Sequence, residues 1–490
     1  MKAPRLVAAV VLAALGGCAV GPNYVAPPSD QLVGPAWDAG LVGAPQEVDL
    51  ADWWESFDDP LLSDLIARAA GGNLDIAVAV ARLRQAREAM VQARAGLFPS
   101  LSVSGGVTRN FTEGSRSNNV IIGGGTGGGS GIIVDTGGSG NTRLNLNANA
   151  SWQADILGGT RRSIEAARAD RDAAAFDLAD VRTSIAAEVA TNYIQARLGQ
   201  ARLAIAEGTL KTQDDNLQIA RWRVQAGLVS SVDAEQARTQ RAQTAASIPT
   251  LRTNYLNAIN RLGVLTGALP GTVRPEMEAA RPVPVGPDAI AVGIPADTLR
   301  QRPDVRSAER QLVAATARIG VAKAQLFPAL NITGNVGTSA LSLGSLGDII
   351  TGSLFAGLTQ SIFQAGRLGA QVRSQRAAAD AAFATYKSTV LTGLEEVENA
   401  LIAVEAAKSR QQEQAIATDA AGNAAFYARS QYQAGLADFQ TLLESERSLL
   451  SARDSLASAQ ADQSLALVQL YLALGGGWRP DAPLETGNSR

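Results

Sequence analysis

The sequence predicts a mixed α+β fold in which very long helices dominate and a small amphipathic sheet is the only β component. Three observations carry this. Prolines are absent between Pro99 and Pro249 and again between Pro328 and Pro480, leaving two windows in which helices can run uninterrupted. A strict two-residue alternation sets Leu144, Leu146, Ala148, Ala150 and Trp152 against Asn145, Asn147, Asn149 and Ser151. The whole pattern then occurs twice along the 490 residues.

The N-terminus reads as an export and anchoring segment. Lys2 and Arg5 form a short basic region, and Leu6 to Leu15 is apolar. Ten apolar residues are too few to span a bilayer, which needs about 20, but they suit a cleaved secretory signal over residues 1–17. Leu15-Gly16-Gly17-Cys18 resembles the lipobox of bacterial lipoproteins, and the resemblance implies cleavage before Cys18 and lipidation of its thiol. Cys18 is the only cysteine, so no internal disulfide can form. Residues 18–60, rich in Pro, Gly and Trp, read as an extended arm.

From 61 the pattern turns helical, with Leu83, Ala86, Met90, Ala93 and Leu97 spaced by three or four. Phe98-Pro99 ends it, because proline disfavours helix in the residue before it. Leu101 to Ser104 alternates as a strand, a Gly-rich stretch covers about 105–141, and the Leu/Asn alternation forms a second strand. One face of that strand is apolar and the other small and polar. Asn is a poor strand former, so four small polar residues on one face point to water there and to lipid or core on the other. A single helix is expected over about 159–226, roughly 100 Å at 1.5 Å per residue, and another over 231–266. Seven prolines between Pro270 and Pro303 mark a connector over 270–303.

The order then restarts. Leu97-Phe98-Pro99 is echoed by Leu326-Phe327-Pro328, and Gln225-Ala226-Gly227-Leu228 by Gln433-Ala434-Gly435-Leu436. The expected organisation is a tandem duplication, with a first repeat over 61–269, a second over 304–474 and a tail over 475–490.

Composition narrows the function. There is no histidine, which removes the commonest general base, the commonest zinc ligand and every Ser-His or Cys-His pair. No catalytic, metal or cofactor site is expected. With 43 basic and 46 acidic residues and no long basic run, nothing points to nucleic acid. The Gly-rich stretch around Gly123 to Gly131 lacks the Lys-Ser/Thr and following helix of a phosphate loop, so it reads as a flexible loop.

Four amphipathic strands per molecule cannot close a barrel. Outer-membrane barrels have even strand numbers from about 8 upwards, and only a closed barrel leaves no strand edge in lipid. Several copies must pool strands; a dimer gives eight and a trimer twelve, and sequence physics does not choose. The economical geometry continues the strand barrel into a helical one. A soluble coiled coil with a small sheet is the competing architecture.

The landmarks Cys18-Ala19-Val20-Gly21-Pro22-Asn23-Tyr24, Trp53-Trp54-Glu55-Ser56-Phe57, Arg302-Pro303-Asp304-Val305-Arg306, the paired LFP and QAGL segments and Leu474-Gly475-Gly476-Gly477-Trp478 together resemble the outer-membrane efflux lipoproteins (NodT type) of the TolC-like superfamily. The resemblance covers nearly the whole mature chain. It implies a homotrimer with a twelve-stranded transmembrane β-barrel continuous with a long α-helical barrel through the periplasm. It implies no enzymatic activity but a passive exit duct for drugs or other toxic small molecules. Its partners would be outer-membrane lipid, a periplasmic adaptor and an inner-membrane resistance-nodulation-division pump. A duct for type I protein secretion is the alternative within the superfamily.

Two groups of residues follow from that resemblance. The hairpin tips, Gly227, Leu228, Tyr432, Gly435 and Leu436, would meet the adaptor. Gly227 and Gly435 also suit helix C-caps, and Ser230 and Asp438 suit N-caps of the helices that follow. The periplasmic gate would be narrowed by Gln440 and Glu444, with Arg447 one turn on.

Overall fold

In the computed structural model, the described residues are 19–26, 37, 50–109, 142–287 and 295–479. The signal segment, Cys18, most of the arm before residue 50, the Gly123–Gly131 stretch and the tail beyond 479 lie outside them. The elements are α1 (Pro60–Gly72), α2 (Leu74–Ala95), β1 (Ser100–Arg109), β2 (Thr142–Ala154), α3 (Gly159–Gln225), α4 (Ser231–Leu265), α5 (Arg274–Met277), α6 (Pro295–Gln301), α7 (Pro303–Ala324), β3 (Ala329–Ala340), β4 (Ile350–Thr359), α8 (Arg367–Gln433) and α9 (Phe439–Ala473). No described helix is long and apolar enough to cross a membrane.

Helices α3 and α4 fall within one residue of expectation. Both α3 and α8 have 67 residues, and both α4 and α9 have 35. Four differences from the sequence reading have local causes. The helix expected from 61 is two helices, split at Asn73: Gly71-Gly72 weaken the first, and the Asn73 side chain accepts from the backbone N–H groups of Asp75 and Ile76 to start the second. The arm is not wholly extended. Residues Trp53–Phe57 form a 3-10 turn, Asp59 caps α1 through the Leu61 N–H, and Trp53 and Phe57 are buried. Strand β1 runs on through Gly105 and Gly106 to Arg109, because its ladder to β2 continues that far. The proline-rich connector holds two short helices, and Val273 and Met277 are core residues.

The chain divides into two compact units. One comprises the sheet with the helix ends nearest it, formed by the described residues of Ala89–Ala167 and Ala315–Ala378 together with 19–24. All four strands are antiparallel in the order β1-β2-β3-β4. Here residues 19–23 lie along the β2–α3 junction: the Val20 N–H donates to the Leu157 carbonyl at 3.1 Å, and Arg162 donates to Asn23 Oδ1 at 2.6 Å.

The other unit holds the middle of the long helices and their hairpin ends. Its main core gathers Trp53, Leu62, Leu65, Val189, Ile259 and Val468, all nearly inaccessible, with the Trp53 ring stacked 5.2 Å from Tyr471. Ala supplies much of the remaining buried surface, notably Ala186, Ala187, Ala190 and Ala196 on α3, and lets helices approach closely. Arg197 is fully buried. It donates to Tyr193 Oη, Gln200 Oε1 and the Ala279 carbonyl, so its charge is solvated by protein. A smaller cluster of Leu217, Ala220, Ala237, Tyr432, Phe439, Leu442 and Leu443 packs the hairpin ends.

Candidate functional site

The sheet has two chemically distinct faces. Ladder register places Leu101, Val103 and Val107 of β1 beside Ala150, Ala148 and Leu144 of β2. Beyond them, on the same face, come Ile332 and Val336 of β3, then Leu354 and Leu358 of β4. The opposite face carries Ser102, Asn147, Asn149, Thr333, Asn335 and Ser353 in the same rows. The alternation read from β1 and β2 thus extends over all four strands, with Phe355, beside Thr333 on the polar face, the exception. Large side chains on the apolar face stand open: Leu101 is 74 % exposed, Val103 70 % and Leu354 82 %. The polar face is knitted by side chains, with Ser353 Oγ donating to Asn335 Oδ1 at 2.6 Å and the Ser100 and Ser151 hydroxyls 2.8 Å apart. A cavity opens on this polar side at the foot of the sheet, lined by Gln153, Asn331 and Thr359. The outer edges of β1 and β4 have no strand partner among the described residues.

Both hairpin ends are built as the sequence suggested. Gly227 and Gly435 adopt φ of +72° and +77°, the left-handed region where a Cβ is strained. Each closes a helix: the Leu228 N–H donates to the Arg223 carbonyl at 2.9 Å, and the Leu436 N–H to the Gln431 carbonyl at 2.8 Å. Ser230 caps α4 through the Val232 N–H, and Asp438 caps α9 through the Thr441 N–H at 2.7 Å. The same Thr441 bonds hold the Asp438 carboxyl below its ordinary pKa. Leu228 and Leu436 are 73 % and 80 % exposed. Tyr432 is different: its side chain is buried against Phe439, with the Arg223 guanidinium 4.2 Å from the ring centroid. The expectation that it offers a contact surface is corrected, because its ring belongs to the packing of the hairpin ends. Arg223 also donates to the Tyr432 carbonyl at 2.8 Å, tying α3 to the end of α8.

Gln440, Glu444 and Arg447 all lie on the exposed side of α9. Arg447 meets Glu444 at 3.3 Å and donates to Gln240 Oε1 of α4 at 3.0 Å. The three are brought onto one side, and Glu444 has a basic neighbour one turn away. Sequence reasoning missed the more buried Glu446. It accepts from Asn216 of α3 at 2.6 Å and from Arg429 of α8 at 2.8 Å, so one carboxylate joins three helices. A signal existed: Glu446 interrupts the spacing of Phe439, Leu442, Leu443 and Leu450, where a charge has no place without partners.

The Arg302-Pro303-Asp304 landmark has a structural role in the helical unit. Arg302 is buried, donates to the Asp304 carboxylate at 2.7 Å and to Glu396 at 2.6 Å, and holds the Ala473 carbonyl at the end of α9 at 2.7 Å. Asp180 lies in the same electrostatic neighbourhood. Burial, then the negative charge of Asp304, pushes its carboxyl up to about 6 against the pull of Arg302.

A chain that combines an open-edged, two-faced strand sheet with paired 67- and 35-residue helices has the elements of outer-membrane channel proteins. The chain belongs to the outer membrane efflux protein family, whose profile matches residues 65–268 and 294–476. It is 32 % identical to a nodulation protein T of Rhizobium leguminosarum bv. viciae, over 98 % of this chain and 94 % of that protein. It is 30 % identical to the pyoverdine export outer membrane protein OpmQ of Pseudomonas putida, over 93 % and 95 % of the two chains. Among solved structures, the outer-membrane channel OprN superposes with a TM-score of 0.82 at 32 % identity, covering 94 % of this chain and all of that one. CusC superposes with a TM-score of 0.76 at 25 % identity, again over 94 % of this chain. The fold is therefore that of the TolC-like channels, and the protein is one of the outer membrane. Family and fold are those of efflux channels rather than of enzymes.

Proposed function

We propose that the protein is the outer-membrane component of a tripartite efflux pump, a passive exit duct for drugs or other toxic small molecules. The observation that carries this reading is the two-faced sheet with its two open edges. In lipid each unpaired backbone group costs several kcal/mol, so strand edges must be closed by other copies. Three copies give twelve strands and a closed ring, with the Asn, Ser and Thr face towards water. The duct performs no bond chemistry and uses no cofactor or metal; the energy comes from an inner-membrane pump of the resistance-nodulation-division class. The equal lengths of α3 and α8, and of α4 and α9, support descent from a duplicated unit.

In this reading Cys18 carries the lipid anchor. The exposed tips Gly227, Leu228, Gly435 and Leu436 dock a periplasmic adaptor, and Gln440, Glu444 and Arg447 line the periplasmic gate. The relatives' names support export of small molecules: one is a pyoverdine export protein, and another, from Pseudomonas putida, is the antibiotic efflux pump outer membrane protein ArpC.

The test is reconstitution. Purified acylated protein, cross-linked in detergent, should run at three times the protomer mass, and in planar bilayers it should carry discrete ion currents. A monomer that leaves bilayers electrically silent refutes the duct. In the native host, deleting the gene should raise sensitivity to some members of a toxic-compound panel.

A further inference from the structure

The helix ends nearest the sheet are strongly basic in a chain whose charges nearly balance overall. Over Ala89–Ala95, Gly159–Ala167, Ala315–Ala324 and Arg367–Ala378 there are eight basic residues and a single acid, Glu165, against 43 and 46 in the whole sequence. Glu165 is bonded to the buried Arg162 at 2.7 Å and so offsets a charge that does not reach the surface.

Four of these eight cations lie on one side. The cavity at the foot of the sheet is on its polar face, and the four helices line it with Gln92 and Ala93, Thr160 and Ser163, Val321 and Ala324, and Arg367 and Leu368. At about 100° per residue, Arg94, Lys323, Arg373 and Arg376 are turned about 130–170° from the middle of those lining positions, whereas the Arg161 guanidinium is held at 3.2 Å by Asp155, a lining residue of the cavity. The four therefore project on the same side as the apolar face of the sheet. Arg94, Arg373 and Arg376 are exposed, and Lys323 half-buried. All four lie within about 14 Å of the helix ends that adjoin the strands, counted at 1.5 Å per residue. Trp152, at the foot of the same apolar face, turns its indole N–H inward to the Leu97 carbonyl at 3.0 Å.

We propose that Arg94, Lys323, Arg373 and Arg376 form a basic collar that binds anionic phospholipid headgroups of the membrane leaflet facing the helices. This rests on the reading above that the apolar face of the sheet lies in lipid. The geometry fits the partner. Strands of 10 to 13 residues cross the hydrocarbon, and the next layer outward is the headgroup region, where phosphates sit. Long Arg and Lys stems can cover apolar surface while the charge reaches the phosphate. Each basic residue near such a surface attracts anionic lipid with about 1 kcal/mol, roughly a fivefold factor in binding.

The experiment uses the acylated, assembled protein in detergent, titrated with phosphatidylglycerol or phosphatidylethanolamine, with bound lipids counted by native mass spectrometry. The wild type should retain phosphatidylglycerol preferentially, and the preference should collapse when ionic strength rises from 0.05 to 0.5 M. Arg94→Gln/Lys323→Gln/Arg373→Gln/Arg376→Gln should weaken phosphatidylglycerol retention more than a hundredfold. Arg94→Lys/Arg373→Lys/Arg376→Lys should leave it within a few-fold. Should the Gln variant fail to assemble, the Lys variant and the salt response of the wild type still decide. Equal retention of both lipids by the wild type overturns the proposal, as does unchanged retention in the Gln variant. Capture by purified peptidoglycan sacculi with no response to phosphatidylglycerol also overturns it. Failure to enter bilayers at all would instead strike the duct reading.

Discussion

At the scale of single residues, the informative groups are the buried charges. Glu446 is 7 % exposed and is held by Asn216 and Arg429. Removing one partner leaves a carboxylate without full solvation, which is costlier than losing the pair as a unit. Arg429→Ala should destabilise the hairpin ends by about 2–4 kcal/mol, read as a lower thermal midpoint, while Arg429→Ala/Glu446→Leu should recover most of the loss. Asp180 behaves in the opposite sense. Its folded pKa of about 6 lies above the unfolded value near 3.8, so its ionisation costs stability that is fully lost above pH 6 and regained as pH falls towards 4. Asp180→Asn should therefore raise the melting temperature at pH 7.5, by the equivalent of roughly 2 kcal/mol, and leave it unchanged at pH 4. A melting curve at the two pH values checks both halves. Neither residue was legible in the sequence as part of a cluster. Their partners come from helices far apart in the chain, and only the stripe interrupted by Glu446 hinted at burial.

At the scale of elements, local rules gave most of the answer. The proline-free window and the first QAGL segment placed α3 and α4 to within a residue, although α4 runs on through Pro249, because C-cap glycines and N-cap Ser230 are signals carried by a few adjacent positions. Tyr432 was misjudged for the complementary reason. Whether a tip aromatic faces water or packs inward depends on Phe439 and Arg223, which no periodicity reveals. Gly435→Val places a β-branched residue at φ near +77° and should abolish pump-dependent resistance while cross-linking still captures trimers. Resistance at the wild-type level would remove the tip from the adaptor interface. Asp438→Ala, which deletes an N-cap, should lower local stability and speed amide hydrogen exchange in the first turn of α9 without unfolding the rest.

At the scale of the whole molecule, the alternation in β2 carried further than its length suggests. One strand with an unmistakable apolar-and-polar alternation shows, through register, which residues of its neighbours share each face, and β1, β3 and β4 follow the same pattern except at Phe355, which stands on the polar face. The number of copies was not legible, since four strands per chain satisfy a ring of eight as well as one of twelve. Glu444→Ala should raise the leak current of reconstituted channels severalfold, because Glu444 stands exposed beside Arg447 where the gate is proposed. Currents identical to those of the unmodified protein would mean that the constriction lies elsewhere.

The identical residue counts of α3 and α8, and of α4 and α9, also say where the gene can tolerate change. A codon inserted within either 67-residue helix would rotate everything beyond it by about 100° and advance it by 1.5 Å, throwing one arm out of step with its twin. A codon inserted between β1 and β2, where 32 residues separate strands that β3 and β4 join with 9, disturbs no such match. Natural variants of this sequence should therefore differ in length almost wholly between strands, and codon-insertion libraries should map the long helices as the stretches where nothing can be added.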